Sequence, residues 1–62
     1  MSVSRRALIR YLEEHGFSRV REGSRHSIYG KGALKIPVKR HRLFDRITAN
    51  ELCKQAGLEP KF

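Results

Sequence analysis

Glycines at positions 16, 23, 30 and 32 break the middle of this 62-residue chain into pieces too short for helices of ordinary length. The residues between them favour extended backbone. Phe17 to Arg21 carries Phe17 and Val20. Ser24 to Tyr29 follows a turn expected at Glu22-Gly23. Ala33 to Val38 follows a second turn at Gly30-Lys31-Gly32, and its Leu34, Ile36 and Val38 alternate as a one-sided strand requires. Pro37 has no amide hydrogen to give to a ladder, so this third strand is an edge strand or ends there.

A helix is expected on either side of the three strands. Before them, Ser4 is a capping residue and Ala7, Leu8, Tyr11 and Leu12 recur at helical spacing, with Gly16 as the left-handed stop. After them, Lys39-Arg40-His41-Arg42 is a basic connector. Thr48 and Glu51 then have the spacing of a capping box. A start nearer Asp45 is the alternative, because Leu43, Phe44 and Ile47 also call for burial. Ala49, Leu52, Cys53 and Ala56 make the apolar face of this second helix, and Gly57 stops it. The order α-β-β-β-α predicts an α+β domain, a three-stranded antiparallel sheet with two helices on one face. It is the element order of a double-stranded-RNA-binding domain.

Size and charge bound what such a domain can do. A chain this short buries only about 60% of the surface its unfolded form exposes, so residues 1–62 form one thin domain with no room for a deep substrate cavity. Fourteen Lys and Arg against six Asp and Glu give a formal charge of +8, a field that favours polyanionic partners. No stretch approaches the ~20 apolar residues of a membrane span, so no membrane partner is expected. Met1 to Arg6 runs straight into charge without the apolar core of a secretion signal. Cys53 has no second cysteine to bond with. A reducing cytoplasm is the expected location.

Few residues carry chemistry. His15, His26, His41 and Cys53 are too scattered for a paired metal-ligand motif, so no metal or other cofactor is expected. Cys53 reads as a small core residue. His15, near the end of the first helix, complements the helix dipole. His26 stands where an ordinary strand would carry Val or Thr, with Arg21, Arg25 and Lys31 around it. An imidazole that is uncharged at neutral pH is a competent general base, although a solvated strand histidine is the simpler reading of this residue taken alone.

The chain as a whole resembles a known family. Gly23-Ser24-Arg25-His26-Ser27-Ile28-Tyr29 is similar to the Gly-Ser-His-x-x-Tyr/Phe strand of HicA-type toxins, the small mRNA interferases of bacterial toxin–antitoxin pairs. Leu8 to Phe17 resembles the family's first helix and its glycine–aromatic exit. Ile36-Pro37-Val38 followed by Arg40-His41 resembles its Val-Pro-x-x-His stretch, and Glu51 to Leu58 its closing helix. In much of the family the histidine directly follows Gly-Ser, whereas here Arg25 intervenes. The downstream register, His26-x-x-Tyr29, puts His26 on the catalytic position; the upstream register would put Arg25 there. The Glu22–Ser24 turn absorbs an extra residue more easily than the strand does, which favours His26.

The resemblance implies a metal-independent endoribonuclease acting on mRNA, with His26 as general base or acid. The chemistry of RNA cleavage then calls for cations at the phosphate, and Arg25, Lys31, Lys35 and Arg40 are the expected clamps. The resemblance also implies a HicB-type antitoxin partner with an acidic surface. DNA contact would come through that partner and not directly. Tyr29 reads as core, and His41 as a loop residue. The competing reading is a noncatalytic RNA-binding module of double-stranded-RNA-binding shape, which recognises form and 2′-hydroxyls.

Overall fold

A computed structural model describes residues 1–62. The chain runs β1 (Ser2–Ser4), α1 (Arg5–Glu14), β2 (Ser18–Glu22), β3 (His26–Lys31), β4 (Leu34–Lys39), β5 (Leu43–Asp45) and α2 (Arg46–Gln55). β2, β3 and β4 form the expected antiparallel meander, with β3 in the centre. Pro37 lies on β4, an edge strand, where its missing amide hydrogen does least harm. No helix is long and apolar enough to cross a membrane.

Alternation along β3 and β4 sorts the two faces of the sheet. Ser27, Tyr29, Ile36 and Val38 are buried, whereas His26, Pro37 and Lys39 are exposed. Tyr29, Ile36 and Val38 pack with Leu8 and Leu12 of α1 and Ala49 and Cys53 of α2 into one core. The opposite face is left open, and His26 stands on it.

Both helices end in the same device. Gly16 has φ +91° and Gly57 φ +73°, a region that costs a side-chain-bearing residue. At the first, the Gly16 and Phe17 amides donate to the Glu13 and Leu12 carbonyls; at the second, the Gly57 and Leu58 amides donate to those of Lys54 and Cys53. This closing motif takes Phe17 into the core, 3% exposed, and delays β2 to Ser18. The later strands are displaced the same way, because the second turn centres on Gly32-Ala33 and not on Lys31. Gly32, with φ +60°, occupies the first turn position and Lys31 pairs with Leu34.

The start of α2 corrects the capping-box reading at Thr48. Asp45 is the cap: its carboxylate accepts from the Thr48 amide and from the Thr48 hydroxyl, each at 2.9 Å. A carboxylate at the positive end of a helix gains from the dipole as well as from the two bonds. Glu51 pairs with Lys54 instead. A second small sheet was not foreseen. β1 and β5 pair antiparallel with Val3 opposite Phe44, both buried, and tie the two helix starts together.

Candidate functional site

The turn that leads into β3 is closed by its own backbone. The Gly23 amide donates to the His26 carbonyl at 2.8 Å, and a Cβ at Gly23 would stand only 3.0 Å from that oxygen. The short turn between β2 and β3, residues 23–25, therefore delivers His26 as the first residue of the strand. Its side chain is exposed and opposite Lys39 of β4. Ser24, Arg25, His26, Lys39, Arg40 and His41 line one open cleft of about 450 Å³. His41 is held at its rim by stacking on Phe44, with ring centroids 6.3 Å apart and planes at 29°.

Beneath the cleft lies a polar network that fixes the strands. Ser27, next to His26 and fully buried, accepts from Arg5 Nη2 and donates to Glu22 Oε1, both at 2.9 Å. Arg5 Nε also donates to the Lys39 carbonyl at 3.0 Å. Arg40 forms an ion pair with Glu22 at 3.1 Å and donates to the Gly23 carbonyl at 3.0 Å, and its amide bonds the Arg25 carbonyl. The Ser27 hydroxyl, and after it the guanidinium groups of Arg40, Arg19 and Arg5, hold the Glu22 carboxyl below its ordinary range against the opposing effect of desolvation. One carboxylate thus anchors cations from α1, β2 and the end of β4 under the residue that faces solvent.

Residues 5–58 match the family described as HicA toxin of bacterial toxin-antitoxin. The chain belongs to this family. That makes it a toxin of a toxin–antitoxin system. No curated protein and no solved structure matches the chain.

The fold brings together some of the expected HicA site residues and separates others. His26, Arg25 and Arg40 share the cleft. Lys35 is opposite Gly30, about 13 Å along the sheet from His26 at ~3.3 Å per residue, although it shares the open face. Lys31 is about 17 Å away by the same count and lies on the helix side, its chain against Gly16 at the C-terminal end of α1. A cation there complements the helix dipole.

Lys39 takes the position beside His26 that sequence reasoning gave to others, and His41 joins it. The signal was the turn. Once Lys31 pairs with Leu34 across Gly32-Ala33, antiparallel register puts residue 39 opposite residue 26. Cys53 is buried in the core, and burial raises its thiol pKa. His15 donates through Nδ1–H to the Tyr11 carbonyl at 3.0 Å, at the end of α1, as a helix-terminal histidine should. No group of three His, Cys, Asp or Glu side chains converges as a metal site.

Proposed function

We propose that this HicA-family toxin is an endoribonuclease that cleaves mRNA by transesterification within the RNA, with His26 moving the proton. The observation that carries the reading is the exposed imidazole of His26 set among Arg25, Lys39, Arg40 and His41 on a braced strand. RNA supplies its own nucleophile. His26 takes the proton of a 2′-hydroxyl, the O2′–P bond forms, and the P–O5′ bond breaks as the leaving oxygen gains a proton from an acid or from water. The products are a 2′,3′-cyclic phosphate and a 5′-hydroxyl. Cationic side chains around the phosphate stabilise the charge that develops on its oxygens. The step needs neither a bound metal nor a deep pocket, which suits a chain with a thin core.

Arg25 and Lys39 are the phosphate clamps nearest His26 in this reading. Arg40, half occupied by Glu22 and the Gly23 carbonyl, orients the cleft and offers its remaining donors. Lys35 on the open face meets RNA only where the strand extends along the sheet. The cleft is also where a neutralising HicB-type antitoxin with an acidic surface would act, by covering His26.

The test is incubation of the purified protein with single-stranded RNA in EDTA, beside a fully 2′-deoxy strand of the same sequence. Fragments with cyclic phosphate ends from the RNA alone support the proposal. Intact RNA with a mobility shift would replace it with the noncatalytic binding module.

A further inference from the structure

A second cationic depression adjoins the His26 cleft. It is the larger of the two, about 820 Å³, and is lined by Ser4, Arg5, Arg6, Arg40, Arg42 and Leu43. Four of its six residues are arginines and none is acidic. Arg40 lines both depressions, so they meet at that residue.

The four arginines are not equivalent. Arg5 and Arg40 are held in place by the Ser27–Glu22 network, with forks fixed toward Ser27, the Lys39 carbonyl and Gly23. Arg6 and Arg42 take no part in any of the chain's three ion pairs, and neither side chain makes a hydrogen bond. They come together because the Arg5 amide donates to the Arg42 carbonyl at 2.8 Å, which seats the end of the basic connector on the first turn of α1.

That first turn holds no acidic residue, while Arg5 and Arg6 occupy its first two positions. Cations at the positive end of a helix oppose its dipole, and Glu22 serves only Arg5 and Arg40 of the four, so Arg6 and Arg42 add positive charge with no carboxylate partner. A bound phosphate turns both interactions into attraction, and the planar forks suit its oxygens. Leu43, 59% exposed at the rim, offers an apolar surface to a base or ribose.

We propose that this groove is a second phosphate-binding subsite, which receives the RNA backbone as it leaves the His26 cleft across Arg40. The proposal rests on the reading of that cleft as the site of RNA cleavage. Arg6 and Arg42 supply affinity for strands long enough to reach the groove and do not touch the scissile phosphate.

The experiment compares the wild type with the Arg6→Gln/Arg42→Gln variant on uncleavable 2′-O-methyl RNA of three and twelve nucleotides across a salt series. The same pair of proteins is then assayed on cleavable RNA of both lengths. Because neither side chain has a partner in the fold, the variant should keep the wild-type circular dichroism spectrum and melting curve. On the twelve-mer its affinity should fall several-fold, and the slope of log K against log salt should lessen by about 1.4, at ~0.7 for each lost single-strand phosphate contact. KM for the long substrate should rise while the three-mer is bound and cleaved as before.

Unchanged affinity and slope on the twelve-mer overturn the groove, as does an equal loss on both lengths. Retained RNA affinity with loss of binding to an acidic protein partner assigns the groove to that partner and also overturns the proposal. A wild type that cleaves nothing but shows the length-dependent difference in binding removes the nuclease reading and leaves the groove standing.

Discussion

His26 and Lys39 face each other across the β3–β4 ladder, so an imidazole and an ammonium leave the same face of the sheet as direct neighbours. Directly opposed residues have Cβ atoms about 4.5–5.5 Å apart, close enough for both to reach one phosphodiester. His26→Ala should lower the single-turnover cleavage rate by about 10²- to 10⁴-fold, the usual worth of a positioned acid or base, with RNA affinity nearly unchanged. Lys39→Gln should weaken binding and slow cleavage together, because a cation near the phosphate serves both. A His26→Ala protein that cleaves at the wild-type rate would remove His26 from the mechanism.

The Ser27 hydroxyl joins Arg5 to Glu22, accepting from the Arg5 guanidinium and donating to the Glu22 carboxylate. Ser27→Ala removes the buried hydroxyl that both partners meet and should cost about 1 kcal/mol in urea unfolding. Ser24→Ala, in the exposed turn three residues earlier, should change stability by less than about 0.5 kcal/mol. Equal effects at the two serines would show that the network does not brace the strand.

Two carboxylates tie stability to acid. Glu22 is held below its ordinary range first by Ser27 and then by its arginine neighbours; Asp45 is held there by the Thr48 amide and then the Thr48 hydroxyl. In both, the folded chain favours the ionised form. Their contribution is therefore complete above the unfolded values, about 4.3 for Glu and 3.9 for Asp, and is lost as pH falls through the lower folded ones. A series of melting temperatures between neutral pH and about pH 2.5 should show the decline beginning near pH 4.5. Glu22→Gln should melt lower at neutral pH and lose less on acidification. An acid slope identical to the wild type would assign the effect elsewhere.

The sequence carried the element order because its strongest signals are local. Gly16 and Gly57 end helices at positive φ, and the Leu34-Ile36-Val38 alternation marks a strand whichever partner it finds. Register was harder to read, since it depends on which two residues make the turn. A turn at Gly30-Lys31-Gly32 would bring His26 opposite Ile36, whereas the turn at Gly32-Ala33 brings it opposite Lys39. The β1–β5 pair was invisible for a different reason: strands of three residues have no period, and Val3 and Phe44 become partners only once both helix starts are docked. Arg40 was legible as a candidate site cation but not as a brace, because its ion pair with Glu22 is made by the tertiary fold.

Cys53 should be silent to thiol reagents in the native protein. It is fully buried on α2, and burial raises its pKa, so little thiolate forms at neutral pH. Reaction with a chromogenic disulfide should follow global unfolding, appearing at the same urea concentration as the loss of helix signal. Rapid labelling without denaturant would indicate that α2 opens independently of the sheet.

Two glycines separate stability from site geometry. At Gly57 the surroundings are open but φ is +73°, so Gly57→Ala should cost about 1–2 kcal/mol, the strain of a left-handed alanine, with cleavage per folded molecule unchanged. At Gly23 φ is not positive, and the added Cβ would instead meet the His26 carbonyl oxygen at 3.0 Å. That oxygen is backbone and accepts the Gly23 amide, so relief requires the turn and the first residue of β3 to move apart by a few tenths of an ångström. Gly23→Ala should therefore reduce cleavage more than its loss of stability explains, because a small misplacement of a catalytic group is felt strongly in the rate. Measuring urea stability and single-turnover rate for both variants, well below their melting temperatures, tests the distinction. If Gly23→Ala lowers stability and leaves the rate per folded molecule intact, the turn does not set the position of His26.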